Sequence, residues 1–398
     1  QSIYYAGVGQ GVPRGETGIP VDFKKLSGNV FQETWAEVAS GLQELAHIAQ
    51  AVPALQFPVG AELYHWFFFR WRGTTMLPEM DDRSLEAACE LLRLSVESDA
   101  DCWGDDQMVT TRETLERFLQ KGCDYRWMHL IMLEAEVGRE LASRRDAHAR
   151  AVRLLARSEE HLGKMLQQPY YANRQWKSPY DMNMNEEVFP SPGPVWARET
   201  VPLVAWLEEH YPAFRSDLDR IRAQPGLFDE LNRLERNAEG QDHARQEDWE
   251  IIELADTREQ EPWKERICAF LPDTCRLLRS RPEFQCDHAG VFVNRMRPGA
   301  WIKPHMGNPP RLVAHLALDI PPEPMDLYVG HARLQWETGK AHVIDDTYIH
   351  SVRHHGKPVL NAKDTPLERE RYILHMLICH PCEPSQRETY LGLDVMCS

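Results

Sequence analysis

No run of about eighteen apolar residues occurs anywhere in the sequence, and that absence excludes a membrane-crossing helix from the chain as given. The densest apolar patch, WFFFRW at Trp66–Trp71, is too short for a bilayer and carries Arg70 in its middle. Positive charge is in deficit, with 45 Lys and Arg against 61 Asp and Glu and a net charge of −16. A phosphate backbone is repelled by that balance, and no basic stripe with interleaved aromatics offsets it, so nucleic acid is not an expected partner. Cysteine is sparse: nine in 398 residues are too few for a disulfide scaffold, and an odd number leaves at least one thiol free or paired elsewhere. Cys268 and Cys275 are near enough to close a small loop. Cys379 and Cys382 form a C-x-x-C around His380 and Pro381, but no second such pair follows and no redox-type strand–helix context surrounds it, so neither a zinc nor a thioredoxin-like role is expected. Strict repeats of a fixed period are not visible, which leaves a helical-repeat array open. The chain opens on Gln1, not Met, so its start says nothing about a removed leader or anchor.

What is present is ordinary globular material, 42% hydrophobic and 27% charged, long enough for two domains. The first half reads as helix. Ser84 opens SLEAACELLRLSVES, Thr111 opens TRETLERFLQKG with Gly122 as its stop, and Met128 to Met165 repeats Leu, Ala and Val at three-and-four spacing. Acidic residues are mixed into the Arg-rich stretch Arg139–Arg157, which therefore reads as a solvated helix face. A Pro-, Asn- and aromatic-rich stretch from Gln168 to Trp196 breaks the periodicity and marks the boundary between a mainly helical region, 1–167, and a second domain, 168–398. Another helical piece follows at about Arg198–Arg222.

After Ala289 the texture changes to eight short β-rich runs: GVFVNRM, WIKPH, RLVAHLALDI, MDLYVG, HARLQW, AHVID, TYIHSVRH and RYILHMLICH. Closely spaced strands with no helices between them predict an antiparallel barrel or jelly roll. The fold class expected is α+β, a C-terminal double-stranded β-helix preceded by a helical region.

Such a scaffold can bind redox-active iron when imidazoles from separate strands converge at one mouth and leave coordination positions free. His305 ends WIKPH, and His350 lies in TYIHSVRH after the turn-like Asp345-Asp346. One histidine among 17 carries little weight by itself. An ordered series does: His-x-Gly, then an Arg…His strand, a Trp-Glu-x-Gly-Lys turn, an Asp-Asp…His strand and a final Arg-led strand.

In that order PHMGNPPRLVAHLALDIP, QWETGKAHVIDDTYIHSV and RYILHMLICHP resemble the catalytic core of the aspartyl/asparaginyl β-hydroxylase family. The likeness extends upstream through FPSPGPVWARETVPLVAWLEEHYPAFRSDL, EDWEIIEL and ICAFLPDTCRLLRSRPEF and spans about residues 169–387. It implies an Fe(II)- and 2-oxoglutarate-dependent dioxygenase whose iron, and so its catalytic centre, is held by His305 and His350. Gly307 stands where most 2-oxoglutarate oxygenases place an Asp or Glu, which is the family's own habit. Asp345 and Asp346 are either turn-forming or supporting residues, or a substitute ligand. Arg371 is implied as the guanidinium for the distal carboxylate of 2-oxoglutarate, Arg311 and His315 as the pair at its other end, and Asn294 as a stand-in for a serine that assists Arg371. Leu377 and Cys379 depart from the family pattern behind the site, which weakens the substrate inference more than the cofactor inference.

The reaction implied is hydroxylation of a C–H bond by O2, with the β-carbon of Asp or Asn in a polypeptide as the family's typical target. Rival readings are a hydroxylase or halogenase of a small molecule or lipid, since a missing carboxylate can admit chloride, and a non-catalytic jelly-roll binding module. The Cys268/Cys275 pair leans towards a secretory-pathway lumen and leaves the cytoplasm open.

Overall fold

The computed structural model describes residues 81–97, 123–168, 176–182, 191–234, 249–307, 311–357 and 365–386, with a few single positions between them. The WFFFRW patch and all of the expected Thr111 helix but Arg117 lie outside the described residues. Two compact units divide the chain, Gln1–Pro179 and Tyr180–Ser398. No described helix is long and apolar enough to cross a membrane.

In the first unit the described helices are α1 (Asp82–Glu97), α2 (Cys123–Ala142) and α3 (His148–Gln167). A turn after Ala142 splits the Met128–Met165 periodicity into α2 and α3. Apolar positions of α3 recur every three or four residues, so Ala151, Leu154, Leu162 and Met165 make one buried face. Ser158 and His161 share that face, and each has a partner on α2: Ser158 Oγ donates to the Ile131 carbonyl at 2.6 Å, and His161 Nδ1 meets Glu134 at 2.7 Å. Arg157 also bonds to Glu134, while Arg144 and Arg150 reach Asp82 of α1 at 2.7 and 2.9 Å. The Arg-rich stretch is therefore not simply a solvated face. Its guanidinium heads bridge three helices, a geometry that sequence spacing within one helix does not reveal.

The second unit has three layers. Its strands are β1 (Val195–Trp196), β2 (Trp249–Asp256), β3 (Gly290–Met296), β4 (Trp301–His305), β5 (Leu312–Asp319), β6 (Met325–Val329), β7 (Ala332–Leu334), β8 (Ala341–Asp345), β9 (His350–His354) and β10 (Arg371–Ile378). One sheet has the order β1-β8-β5-β10-β3-β2 and the other β4-β9-β6-β7. Every pairing between these strands is antiparallel. All eight β-rich runs of the sequence form strands. β2 was not foreseen as one, because its apolar residues fall on both faces and give no clean alternation.

Strand period decides what each face of the large sheet touches. Along β10, Tyr372, Leu374, Met376 and Ile378 join a core with helices α4 (Pro202–Glu209), α5 (Tyr211–Arg222), α6 (Leu227–Leu234), α7 (Glu265–Cys268) and α8 (Pro272–Leu278). Ile373 and Leu377 turn the other way, into a second core with Val352 of β9 and Leu327 of β6. Between the two sheets lies the candidate site. Asp217 of α5, wholly buried, accepts from the Thr274 backbone N–H at 2.8 Å and its hydroxyl at 2.9 Å. That carboxylate caps α8, whose own Leu271 has no side chain able to do so.

Cystines join Cys102–Cys123, Cys268–Cys275 and Cys286–Cys379, and Cys382 is also disulfide-bonded. Cys379 thus pairs with Cys286, not with Cys382 across the C-x-x-C. Because the Cys286–Cys379 bond spans 93 residues, Cys286→Ala/Cys379→Ala should lower unfolding stability by roughly 2–5 kcal/mol, read from a denaturant titration; an unchanged midpoint would sink this.

Two buried histidines make stability pH-dependent. His354 donates from Nε2 to the Arg369 carbonyl at 3.0 Å and accepts the Gly356 N–H at Nδ1, so both nitrogens are engaged in the neutral form. Burial, with the nearby Arg371 charge, pushes its pKa down to about 4, and burial does the same to His380. The unfolded chain takes up these protons near pH 6.5 and the native state does not. Their stabilising share is therefore intact above that pH and is lost as pH falls towards 4, each histidine costing about 1.4 kcal/mol per pH unit across the window. Denaturant midpoints at pH 7 and pH 5 should differ accordingly, and the difference should shrink in His354→Gln/His380→Gln.

Candidate active site

Facing strand ends bring the two expected metal ligands together. β4 and β9 pair so that His305 and His350 are Cα partners, and their ring centroids lie 4.1 Å apart. His350 Nδ1 is 2.9 Å from the Tyr348 carbonyl, which can only accept; the proton is therefore on Nδ1, and Nε2 keeps the lone pair a metal needs.

Asp346 occupies the place opposite Gly307. The Gly307 N–H donates to the Asp346 carbonyl at 2.7 Å, and a Cβ built on Gly307 would fall within bonding distance of Asp346 Oδ2. Arg311 Nε holds that same carboxylate at 2.7 Å, and His350 Nε2 lies 3.6 Å from its other oxygen. Burial pushes the Asp346 carboxyl up, but the Arg311 guanidinium that it accepts from outweighs this and holds it below the usual range. Asp345 does a different job: its Oδ1 accepts the Thr347 N–H at 3.0 Å and hydroxyl at 2.6 Å, closing the turn into β9. Burial raises its carboxyl.

Arg371, Asn294 and His315 all project between the sheets, from β10, β3 and β5. Arg371 is 1% exposed, and its Nε and Nη1 have no hydrogen-bond partner among the described residues. Its guanidinium lies 4.4 Å over the Trp336 ring, and burial holds its pKa down to about 9. Asn294 Oδ1 and His315 Nδ1 are likewise buried without partners. The orphaned Arg371 nitrogens, with His315 Nδ1 when it carries the proton, form a cradle that an anionic ligand would complete; Asn294 could join it only through its amide N–H.

The sequence reading paired Arg311 with His315 at one end of the co-substrate. In the structure each of the two has a partner of its own: Arg311 is engaged with Asp346, and His315 Nε2 meets His375 Nδ1 at 2.9 Å. Two residues of the site were missed. His375 follows Arg371 by four on β10, the even spacing that puts both on one face, so parity alone could have found it. Trp336 was read only as part of a turn motif; its place under Arg371 depends on β7 folding across, which no local pattern reports.

Two other clusters of metal-type side chains are already engaged. Cys286 and Cys379 beside Glu383 form a cystine, and Glu253, Asp256 and Glu259 are ion-paired with Lys264 and Arg258. The histidine pair and the cradle behind it are thus the better candidate.

Residues 208–381 match the family model of aspartyl/asparaginyl beta-hydroxylase. Over that stretch the second unit is similar to the aspartyl/asparaginyl β-hydroxylase family. The β-hydroxylase match makes the protein a 2-oxoglutarate-dependent oxygenase, and it is narrower than the stretch of about 169–387 over which the motifs resemble the family. Among solved structures, this chain is similar at 14% identity to a Pseudomonas putida prolyl-4-hydroxylase, covering 49% of this chain and 95% of that one with a TM-score of 0.26. It is also similar, at 14% identity, to an oxidoreductase of the 2OG-Fe(II) oxygenase family from Burkholderia pseudomallei, covering 33% of this chain and 66% of that one with a TM-score of 0.21. Curated proteins give no match.

Proposed function

We propose that the domain of residues 168–398, preceded by a helical region 1–167, hydroxylates a C–H bond of a polypeptide, at the β-carbon of Asp or Asn, using Fe(II), 2-oxoglutarate and O2. Its two facing antiparallel sheets are read as the walls of a double-stranded β-helix. The observation that carries the proposal is the buried Arg371 with two unpartnered nitrogens, in the same inter-sheet space that the adjacent His305 and His350 enter. His305 and His350 would hold the iron. When bound, iron supplies the oxidative chemistry in which 2-oxoglutarate is decarboxylated to succinate and one oxygen atom goes to substrate.

The protein's own part is placement. Tyr348 fixes the tautomer of His350. Arg371 pairs with the distal carboxylate of 2-oxoglutarate, assisted by Asn294, while Trp336 covers the flat face of the guanidinium and keeps water off it. His315 presents Nδ1 towards the same ligand. Asp346, locked by Arg311 over Gly307, puts a negative charge where a halogenating site would need room for chloride, and so favours hydroxylation.

Three cystines in the described residues support an oxidising compartment, the secretory-pathway lumen, as the place of action. Succinate formation from 2-oxoglutarate with Fe(II) and ascorbate, with mass spectrometry of Asp- and Asn-containing peptides for one added oxygen, tests the reading. His305→Ala should reduce succinate to the no-enzyme level. If wild type and His305→Ala behave alike, the domain is a binding module and the proposal fails.

A further inference from the structure

Four strands of the large sheet carry a row of rings across the floor of the site. The register sets Phe292 of β3 opposite His375 of β10, His375 opposite His315 of β5, and His315 opposite His342 of β8. Within this row only His315 was expected to serve the site, and its environment leaves a question of proton placement. His315 Nε2 and His375 Nδ1 lie 2.9 Å apart, so one proton sits between them. The other nitrogen of His315, Nδ1, is buried without a partner in a residue only 5% exposed. Its ring stands 6.0 Å from Trp336, the ring that also floors Arg371. Nδ1 therefore belongs to the same enclosed space as the unpartnered guanidinium.

We propose that His375 is a positioning residue: its Nδ1–H donates to His315 Nε2, which forces the remaining proton of His315 onto Nδ1 and makes that nitrogen a hydrogen-bond donor to the carboxylate-bearing ligand of the site. The alternative arrangement, with His315 Nε2–H donating to His375, would aim a lone pair at an anion inside a low-dielectric chamber. A carboxylate can only accept, so that arrangement leaves two acceptors facing each other. A doubly protonated His315 would also donate from Nδ1, but burial and the Arg371 charge oppose a second positive charge there. His375 is held neutral as well, burial pushing it down to about 3. With both rings neutral, the choice of tautomer falls to the bond between them. His375 thus controls a contact it does not itself make.

That the ligand is 2-oxoglutarate rests on the function proposed above; the tautomer assignment does not. Two measurements separate the claims. Isotope-labelled imidazole NMR of the metal-free, full-length protein should show His315 protonated at Nδ1 and not at Nε2; protonation at Nε2 overturns the proposal whatever the enzyme does. Calorimetric titration of 2-oxoglutarate into the Mn(II)-loaded protein then compares two variants. An Asn amide at 375 can stand where Nδ1 stands and donate, whereas Leu cannot. His375→Leu should weaken 2-oxoglutarate binding about tenfold, the size of one lost hydrogen bond of about 1.4 kcal/mol, and His375→Asn should restore it to within about threefold of wild type. Equal weakening by both variants would show that only ring packing matters, and no weakening by Leu would show that His315 needs no partner; either sinks the proposal. If the wild type fails to bind 2-oxoglutarate at all, the functional reading falls, while the NMR result still decides the tautomer.

Discussion

Arg371→Leu is expected to stabilise the ligand-free protein and to abolish tight 2-oxoglutarate binding. The guanidinium is buried to 1% exposure, two of its nitrogens have no partner, and burial depresses its pKa to about 9. An uncompensated buried charge costs several kcal/mol, and the stacking on Trp336 returns only about 0.5–2 kcal/mol. Desolvation wins. Leucine, shorter but uncharged and at home beside the apolar core of Ile373, Val352 and Leu327, should therefore raise the unfolding free energy by roughly 1–3 kcal/mol. For the ligand the sign reverses: a carboxylate left without its guanidinium loses roughly 3–5 kcal/mol, on the order of a hundred- to several-thousandfold in affinity. Denaturant unfolding without ligand and calorimetric titration with it read the two effects separately. A variant that is less stable when empty would mean that Arg371 holds the core together and is not kept in reserve for an anion.

Gly307→Asp should fail to create the His-x-Asp ligand set that most 2-oxoglutarate oxygenases use. The obstacle is Asp346, whose Oδ2 occupies the place of any Cβ at 307 and is held there by Arg311. A side chain at 307 must expel that carboxylate, break its bond to Arg311 and set two like charges in one buried spot. Even Gly307→Ala should weaken divalent-metal binding about 10- to 100-fold, as loss of a residue supporting a ligand does. Removing the obstruction should help: Gly307→Asp/Asp346→Gly transfers the carboxylate from one strand connection to the other and should recover much of the metal affinity lost in Gly307→Asp. Mn(II) titration of the metal-free protein measures this without turnover. Unchanged metal binding in Gly307→Ala would show that Asp346 has no part in the site.

Much of the fold was legible because strand period is written directly in residue order. Each of the eight apolar runs from Gly290 to Ile378 contains a strand, and the alternation along β10 separates Tyr372 and Leu374 from Ile373 and Leu377 as the two cores require. β2 escaped notice since burial on both faces erases alternation. The charged stretch Arg139–Arg157 misled for a related reason: a helical wheel shows which residues share a face but not that α1 and α2 bring Asp82 and Glu134 to meet it.

Residue order alone determined which side chains face the space between the sheets, and motif order grouped His305, His350 and Arg371 as one candidate site. Tertiary structure decided the pairings within that space. Asp346 engages Arg311, His375 meets His315, and Trp336 lies beneath Arg371. These are contacts between residues 35 or more positions apart, each set by how strands register across a sheet or pack face to face. Local propensity holds no information about such distances, because the energy that selects them comes from burial and hydrogen bonding that exist only once the chain has closed on itself.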